Sequence, residues 1–166
     1  MGFKLTPIDV VEHISQEDFR RHYLKPRRPL VIKNMTHHWP AHGKWSLDYM
    51  KTVVGDITVP LYDSRKADPA APINAASAQM KFGDYINLIQ RTPTDLRIFL
   101  FDPIKHAPAL LGDYRFPTDL MGGFLDKHPN LFFGGEGSET FLHYDSDMAH
   151  IFHTHFGRKH VILFDH

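Results

Sequence analysis

Apolar positions along the chain follow helical spacing in its first half and strand spacing in its second. Ser46 stands as an N-cap ahead of Leu47, Met50 and Val54, which share one helical face, and Gly55 is placed to end that helix. Phe82, Tyr85, Ile86 and Ile89 form a second stripe, whose spacing is that of core packing rather than of a cofactor surface. A shorter helix opens at Ser15, with Asp18 in place of the Glu or Gln of a capping box, and Pro26 closes it. Residues 29–33, 57–62 and 96–101 read as strands, the last followed by Pro103. The Ala- and Pro-rich stretch 66–78 reads as a loop, and 117–125 as a short helix interrupted by Gly122 and Gly123. Residues 131–134, 140–144, 149–156 and 160–164 then predict a run of strands. Helices first and strands later predict an α+β chain whose helical N-terminal region packs on a sheet.

Composition narrows the picture without selecting a function. With 166 residues, 42% hydrophobic and 13% aromatic, the chain is long enough for one globular domain with a sizeable core. Its 19 basic and 19 acidic residues balance, so no broad field draws it to nucleic acid or to an anionic membrane. The basic runs Arg20-Arg21-His22 and Lys25-Pro26-Arg27-Arg28 are short and read as solvated faces. Zero cysteines exclude a disulfide framework, a Cys-based zinc site and a thiol nucleophile. The sequence contains no run of roughly 20 apolar residues and its first residues lack an apolar signal core, so the expected location is the cytoplasm.

The candidate chemistry lies at His143-Tyr144-Asp145. On a strand, side chains alternate faces, so His143 and Asp145 point one way with Tyr144 opposite. One imidazole and one carboxylate on one face are two thirds of the 2-His-1-carboxylate triad that holds non-haem Fe(II) with open positions. An exposed loop histidine beside a capping aspartate is the bland alternative for so short a pattern. His153 and His155, two apart on the same expected strand, could supply a local third ligand, although histidines in such walls more often satisfy hydrogen bonds or face water.

Residues 131–164, reading LFFGGEGSETFLHYDSDMAHIFHTHFGRKHVILF, resemble the JmjC and cupin-like (cupin-8) Fe(II)/2-oxoglutarate-dependent dioxygenases, particularly the branch of the asparaginyl hydroxylase called factor inhibiting HIF. The resemblance extends upstream through Arg28-Pro29-Leu30-Val31-Ile32, Trp39, Trp45, residues 80–86 and Arg97-Ile98-Phe99-Leu100-Phe101. It implies a double-stranded β-helix, or jelly roll, with His143 and Asp145 as the first two metal ligands. Thr140 matches a threonine whose hydroxyl helps hold 2-oxoglutarate, and Lys159 the lysine that pairs with its distal carboxylate. A lysine suits that task as a compact point charge with three donors.

Departures accompany the match. Phe99 stands where the asparaginyl hydroxylase has a tyrosine that touches 2-oxoglutarate, His150 stands where many members have an asparagine, and the segment between Asp145 and Gly157 is one residue longer. The family's second iron-binding histidine lies on a later strand, so the third ligand is expected beyond His166. The chain is thus expected to be the N-terminal portion of one cupin-like domain, with a helix-and-strand region over 1–128, the first barrel strands and metal motif over 129–166, and an incomplete barrel.

The resemblance implies Fe(II) and 2-oxoglutarate as cofactors, molecular oxygen as a reactant, and a protein or peptide as substrate, hydroxylated on an amino-acid side chain or demethylated through hydroxylation of an N-methyl group. Relatives that act on histones or tRNA keep nucleic acid open as a partner, and a homodimer stays open too, although relatives dimerise through helices after the barrel that this chain is expected to lack. Two other classes stay open: a catalytically silent cupin-like domain that binds a metal or ligand, and a protein-interaction module in which His143 and Asp145 form an ordinary hydrogen-bonded pair.

Overall fold

The computed structural model of the chain describes residues 5–63, 65, 75–121, 129–143 and 155–164. Its elements in order are β1 (Asp9–Val11), α1 (Gln16–Phe19) continuing into a π-turn at Arg20–Leu24, β2 (Leu30–Ile32), α2 (Ala41–Lys44), α3 (Leu47–Val54), β3 (Thr58–Asp63), β4 (Ala78–Lys81), α4 (Phe82–Arg91) and β5 (Leu96–Phe101). Two short 3-10 turns (Pro103–Lys105 and Pro108–Asp113), α5 (Thr118–Met121) and β6 (Leu131–Gly134) follow. Mixed helices and an antiparallel sheet agree with the α+β expectation.

Local chemistry accounts for the helices. The Ser15 hydroxyl accepts from the Asp18 amide, and the segment stops ahead of Pro26 as expected. The Ser46 hydroxyl accepts from the Tyr49 amide and opens α3, with Gly55 at its end. No side chain caps α4. Its first amides instead donate to the turn after α3, Phe82 N to Ile57 O at 2.8 Å and Gly83 N to Gly55 O at 2.9 Å. Gly83 suits that approach, since a Cβ there would lie 3.3 Å from the Gly55 oxygen.

β1 and β2 pair in parallel, while the main sheet runs β4-β3-β5-β6, antiparallel throughout. Tyr62 lies opposite Arg97, and Arg97 in turn lies opposite Gly134. The core forms on one face of this sheet, where Met50 and Val54 of α3 and Phe82, Tyr85 and Ile86 of α4 pack on Val59, Leu61 and Ile98. The Phe82 ring stacks on Phe101 and meets Phe133 edge-on.

A bulge in β5 decides which aromatic enters this core. Strict alternation from Ile98 would send Leu100 inward and Phe101 outward. Instead the register slips between Ile98 and Phe101, Leu100 takes a left-handed φ of 57°, and Phe101 turns inward at 7% exposure while Leu100 is 60% exposed.

The structure corrects several expectations. β1, α2 and β4 were not expected, and β4 begins at the end of the stretch read as loop. Residues 140–143 and 160–164 were read as strands, yet both are irregular and pair with no strand among the described residues. Their alternation is strand-like, but a strand exists only where a neighbouring ladder takes its backbone groups. Their apolar side chains accordingly stand exposed, Leu142 at 81%. The strand expected over 149–156 lies outside the described residues up to 154, as does the expected helix beyond Met121. Among the described residues no helix is long and apolar enough to cross a membrane.

Candidate functional site

The face of the main sheet opposite the helices carries the candidate site. Because β3, β5 and β6 alternate, Tyr62, Arg97, Phe99 and Phe132 project to this side while their neighbours enter the core. Phe99 packs its ring centroid 4.0 Å from that of Tyr62, and the Arg97 guanidinium lies 5.8 Å from the Phe99 centroid.

Arg97 reaches from this face to the segment after β6. Its Nη1 donates to the Glu139 carbonyl at 3.0 Å and to the Thr140 hydroxyl, so a strand residue fixes a loop residue 43 positions on. Its Nε is buried and makes no hydrogen bond among the described residues. Burial lowers the guanidinium's pKa from its ordinary value, but arginine stays charged in proteins. A buried donor left without an acceptor costs about 1–3 kcal/mol, so the arrangement favours an oxygen arriving at Nε.

Lys159 places its ammonium 5.6 Å from the centre of the Phe132 ring. Phe132 precedes Gly134 by two residues, and Gly134 pairs with Arg97, so both cations lie toward the same sheet face, with Phe132 about 7 Å along the strand from the Arg97 pair. Thr140 and Lys159, joined in the sequence reading only by position, therefore share a face of one sheet.

His143 is exposed, and its Nδ1 lies 2.7 Å from the Phe141 carbonyl oxygen. A carbonyl only accepts, so Nδ1 carries the hydrogen in that bond, and in the neutral ring the lone pair sits on Nε2. That is how a metal-ligating histidine is commonly oriented. Asp145, His150 and His153 lie outside the described residues, and the described residues contain no group of three side chains that could hold a metal.

His155, the other local candidate for a ligand, is engaged elsewhere. Its Nε2 donates to the Trp45 carbonyl at 3.1 Å, and its ring lies against those of His42 and Trp45. This is the hydrogen-bonded role that the sequence favoured for it.

Beside these residues a cleft of ≈ 160 Å³ is lined by Arg65, Asp95, Gly137, Glu139 and Phe141. Arg65 and Asp95 form an ion pair across it. Glu139 and Phe141 flank Thr140, so the cleft opens next to the segment that carries Thr140 and His143.

The family model described as a cupin-like domain matches residues 16–166. The chain belongs to the cupin-like family. It is 30% identical over 158 residues to Lysine-specific demethylase JMJ30 of Arabidopsis thaliana, an alignment covering 91% of this chain and 36% of the relative. It is 28% identical over 144 residues to Arginine-specific demethylase JMJ22 of the same plant, covering 81% of this chain and 26% of the relative. A shorter match, 46% identical over 41 residues, covers 25% of this chain and 13% of the human Bifunctional peptidase and (3S)-lysyl hydroxylase JMJD7. The chain thus spans well under half the length of these relatives.

Within this cupin-like chain, sequence reasoning singled out Thr140, His143, Asp145 and Lys159 and passed over Arg97. The signal was present: Arg97 is the one charged residue in the apolar strand Leu-Arg-Ile-Phe-Leu-Phe, at a position that alternation places away from the core.

Proposed function

We propose that this cupin-like chain belongs to an Fe(II)- and 2-oxoglutarate-dependent dioxygenase that hydroxylates an amino-acid side chain of a protein substrate. The observation that carries this reading is the Arg97 bridge, which sets Thr140 on the sheet face toward which Lys159 also lies. Two cations and a hydroxyl over one face of a sheet suit a carboxylate, and the orphaned Arg97 Nε adds a donor that such a group would satisfy.

The residues also suit the metal. His143, its Nδ1 tied to the Phe141 carbonyl, and Asp145 would hold Fe(II), with a third ligand that the described residues do not include. When bound, iron and 2-oxoglutarate together supply the oxidising chemistry that inserts one atom of O₂ into a C–H bond, with succinate and CO₂ as coproducts. Lys159 would fix the far end of the cosubstrate by charge, and Thr140 would orient it by a directed hydrogen bond. Phe99 and Tyr62, half-buried against each other, would help keep water from that end, which strengthens each charge interaction there.

Proteins named as arginine- and lysine-specific demethylases and as a lysyl hydroxylase are among the relatives, and each of these names points to an amino-acid side chain as the target. The order of motifs, similar to that in factor inhibiting HIF, supports side-chain hydroxylation as the outcome. The cleft beside Thr140, with Glu139 and Phe141 on its wall, is the approach open to a substrate side chain.

A specific observation favours a second reading, a silent cupin-like domain that binds metal or ligand: Phe99 presents a bare ring where the related hydroxylase has a phenol. One experiment separates the two. The full chain is loaded with Fe(II) under argon and given 2-oxoglutarate, which should produce a visible charge-transfer band that His143→Ala and Asp145→Ala abolish. Oxygen should then release succinate. A band without succinate favours the silent domain, and iron binding untouched by both substitutions removes His143 and Asp145 from the site.

A further inference from the structure

We propose that Arg97 is a binding residue of the cosubstrate site: its buried Nε–H receives an oxygen of the distal carboxylate, while its Nη1 turns the Thr140 hydroxyl toward that same group. This rests on the dioxygenase reading and adds to it a cation that neither the sequence motif nor the family resemblance assigned.

Three observations converge on Arg97. The first is hydrogen-bond direction. A hydroxyl has one hydrogen to give, and because the Thr140 oxygen accepts from Nη1, its own hydrogen is left to point at another acceptor. A hydroxyl that accepts from a charged donor is also the better donor, since bonds in a chain polarise one another.

The second is the unused donor. A guanidinium has five N–H groups in a rigid fork, and here the Nη1 side is spent on the Glu139 carbonyl and Thr140. Nε is buried with no acceptor among the described residues, and a carboxylate oxygen satisfies such a donor with a charge-assisted bond.

The third is what surrounds it. Arg97 lies beside Phe99, whose ring cannot donate a hydrogen bond, so the Arg97 fork supplies the donors at this place on the sheet. Lys159 beside Phe132 brings a second cation to the same side of the sheet. A carboxylate has about four lone-pair sites on two oxygens, enough for Nε–H, the Thr140 hydroxyl and the Lys159 ammonium together.

The test compares two keto acids that share a chelating end and differ at the other. The full chain, loaded with Fe(II) under argon, is titrated by calorimetry with 2-oxoglutarate and with 2-oxopentanoate, which lacks the distal carboxylate. Arg97→Met should weaken 2-oxoglutarate by about 10- to 100-fold, the range for loss of a hydrogen bond to a charged group, and leave 2-oxopentanoate unchanged. Arg97→Lys, which keeps a charge but loses the fork, should fall between wild type and Arg97→Met, and it carries the test by itself if the methionine variant does not fold. Lys159→Met is the control for the site.

Equal weakening of both keto acids by Arg97→Met and Arg97→Lys would mean a merely structural role and overturn the inference. Wild-type affinity for 2-oxoglutarate in both Arg97 variants, with Lys159→Met weakened, would overturn it and leave the dioxygenase reading standing. Failure of the wild-type chain to bind either keto acid would overturn both.

Discussion

The Tyr85 hydroxyl lies 2.9 Å from the Leu96 carbonyl oxygen, and it shares its hydrogen with the Phe133 carbonyl at 3.1 Å. One phenol on α4 thereby ties the helix to the two strands, β5 and β6, that hold Arg97 and lead to Thr140. Tyr85→Phe removes the only buried donor of that side chain and should cost about 1–3 kcal/mol in chemical denaturation at neutral pH.

The same group gives the chain an alkaline limit. Burial raises the Tyr85 phenol above its ordinary value of about 10, so the folded state holds this proton more tightly than the unfolded one. The stabilisation from the protonated phenol is complete below about pH 10 and is lost as pH rises from there toward the raised folded value. Thermal melts from pH 8 to 11 should show the wild type losing more stability above pH 10 than Tyr85→Phe; parallel curves would contradict this origin.

Asp113 is buried at 5% exposure and accepts from Trp45 Nε1 at 2.8 Å and from Lys44 Nζ at 2.9 Å. It pins the segment after α2 to the second 3-10 turn, and Trp45 in turn gives His155 the carbonyl it bonds. Asp113→Ala should cost about 2 kcal/mol by leaving the indole N–H without its acceptor, and Asp113→Asn less, because one amide oxygen remains. Urea unfolding followed by tryptophan fluorescence reads both.

Leu100 holds a left-handed backbone at 60% exposure, so its side chain contributes little burial while its Cβ strains the bulge. That conformation costs a non-glycine residue about 1–2 kcal/mol, against about 0.5–1 kcal/mol of extra chain entropy lost by glycine. Leu100→Gly should be neutral or stabilise by up to about 1 kcal/mol, whereas glycine at the neighbouring buried Ile98 should destabilise strongly. A clear loss of melting temperature in Leu100→Gly would mean that the Leu100 side chain stabilises the bulge rather than straining it.

His143 is exposed, so His143→Ala should change unfolding stability by less than about 0.5 kcal/mol while removing bound iron. Metal content by mass spectrometry, set beside a melt of the same sample, separates a ligand from a structural residue.

Much of this protein was legible residue by residue. Ser46 and Gly55 bracket α3 and the stripe Phe82, Tyr85, Ile86 opens α4 because capping and helical period are short-range, satisfied within a turn of the chain. Strands at 96–101 and 131–134 were readable for the same reason, while motif spacing, a property of the chain itself, only nominates Thr140, His143, Asp145 and Lys159 as candidates. What only the tertiary structure decided is non-local. The β5 bulge exchanges Leu100 for Phe101 in the core through pairing with β6, and the strand-like runs at 140–143 and 160–164 stay irregular because no ladder among the described residues accepts their backbone. Arg97 joins the candidate residues only because the fold brings it within hydrogen-bonding reach of Thr140, 43 residues along the chain, for a hydrogen bond depends on distance in space and leaves no period in sequence.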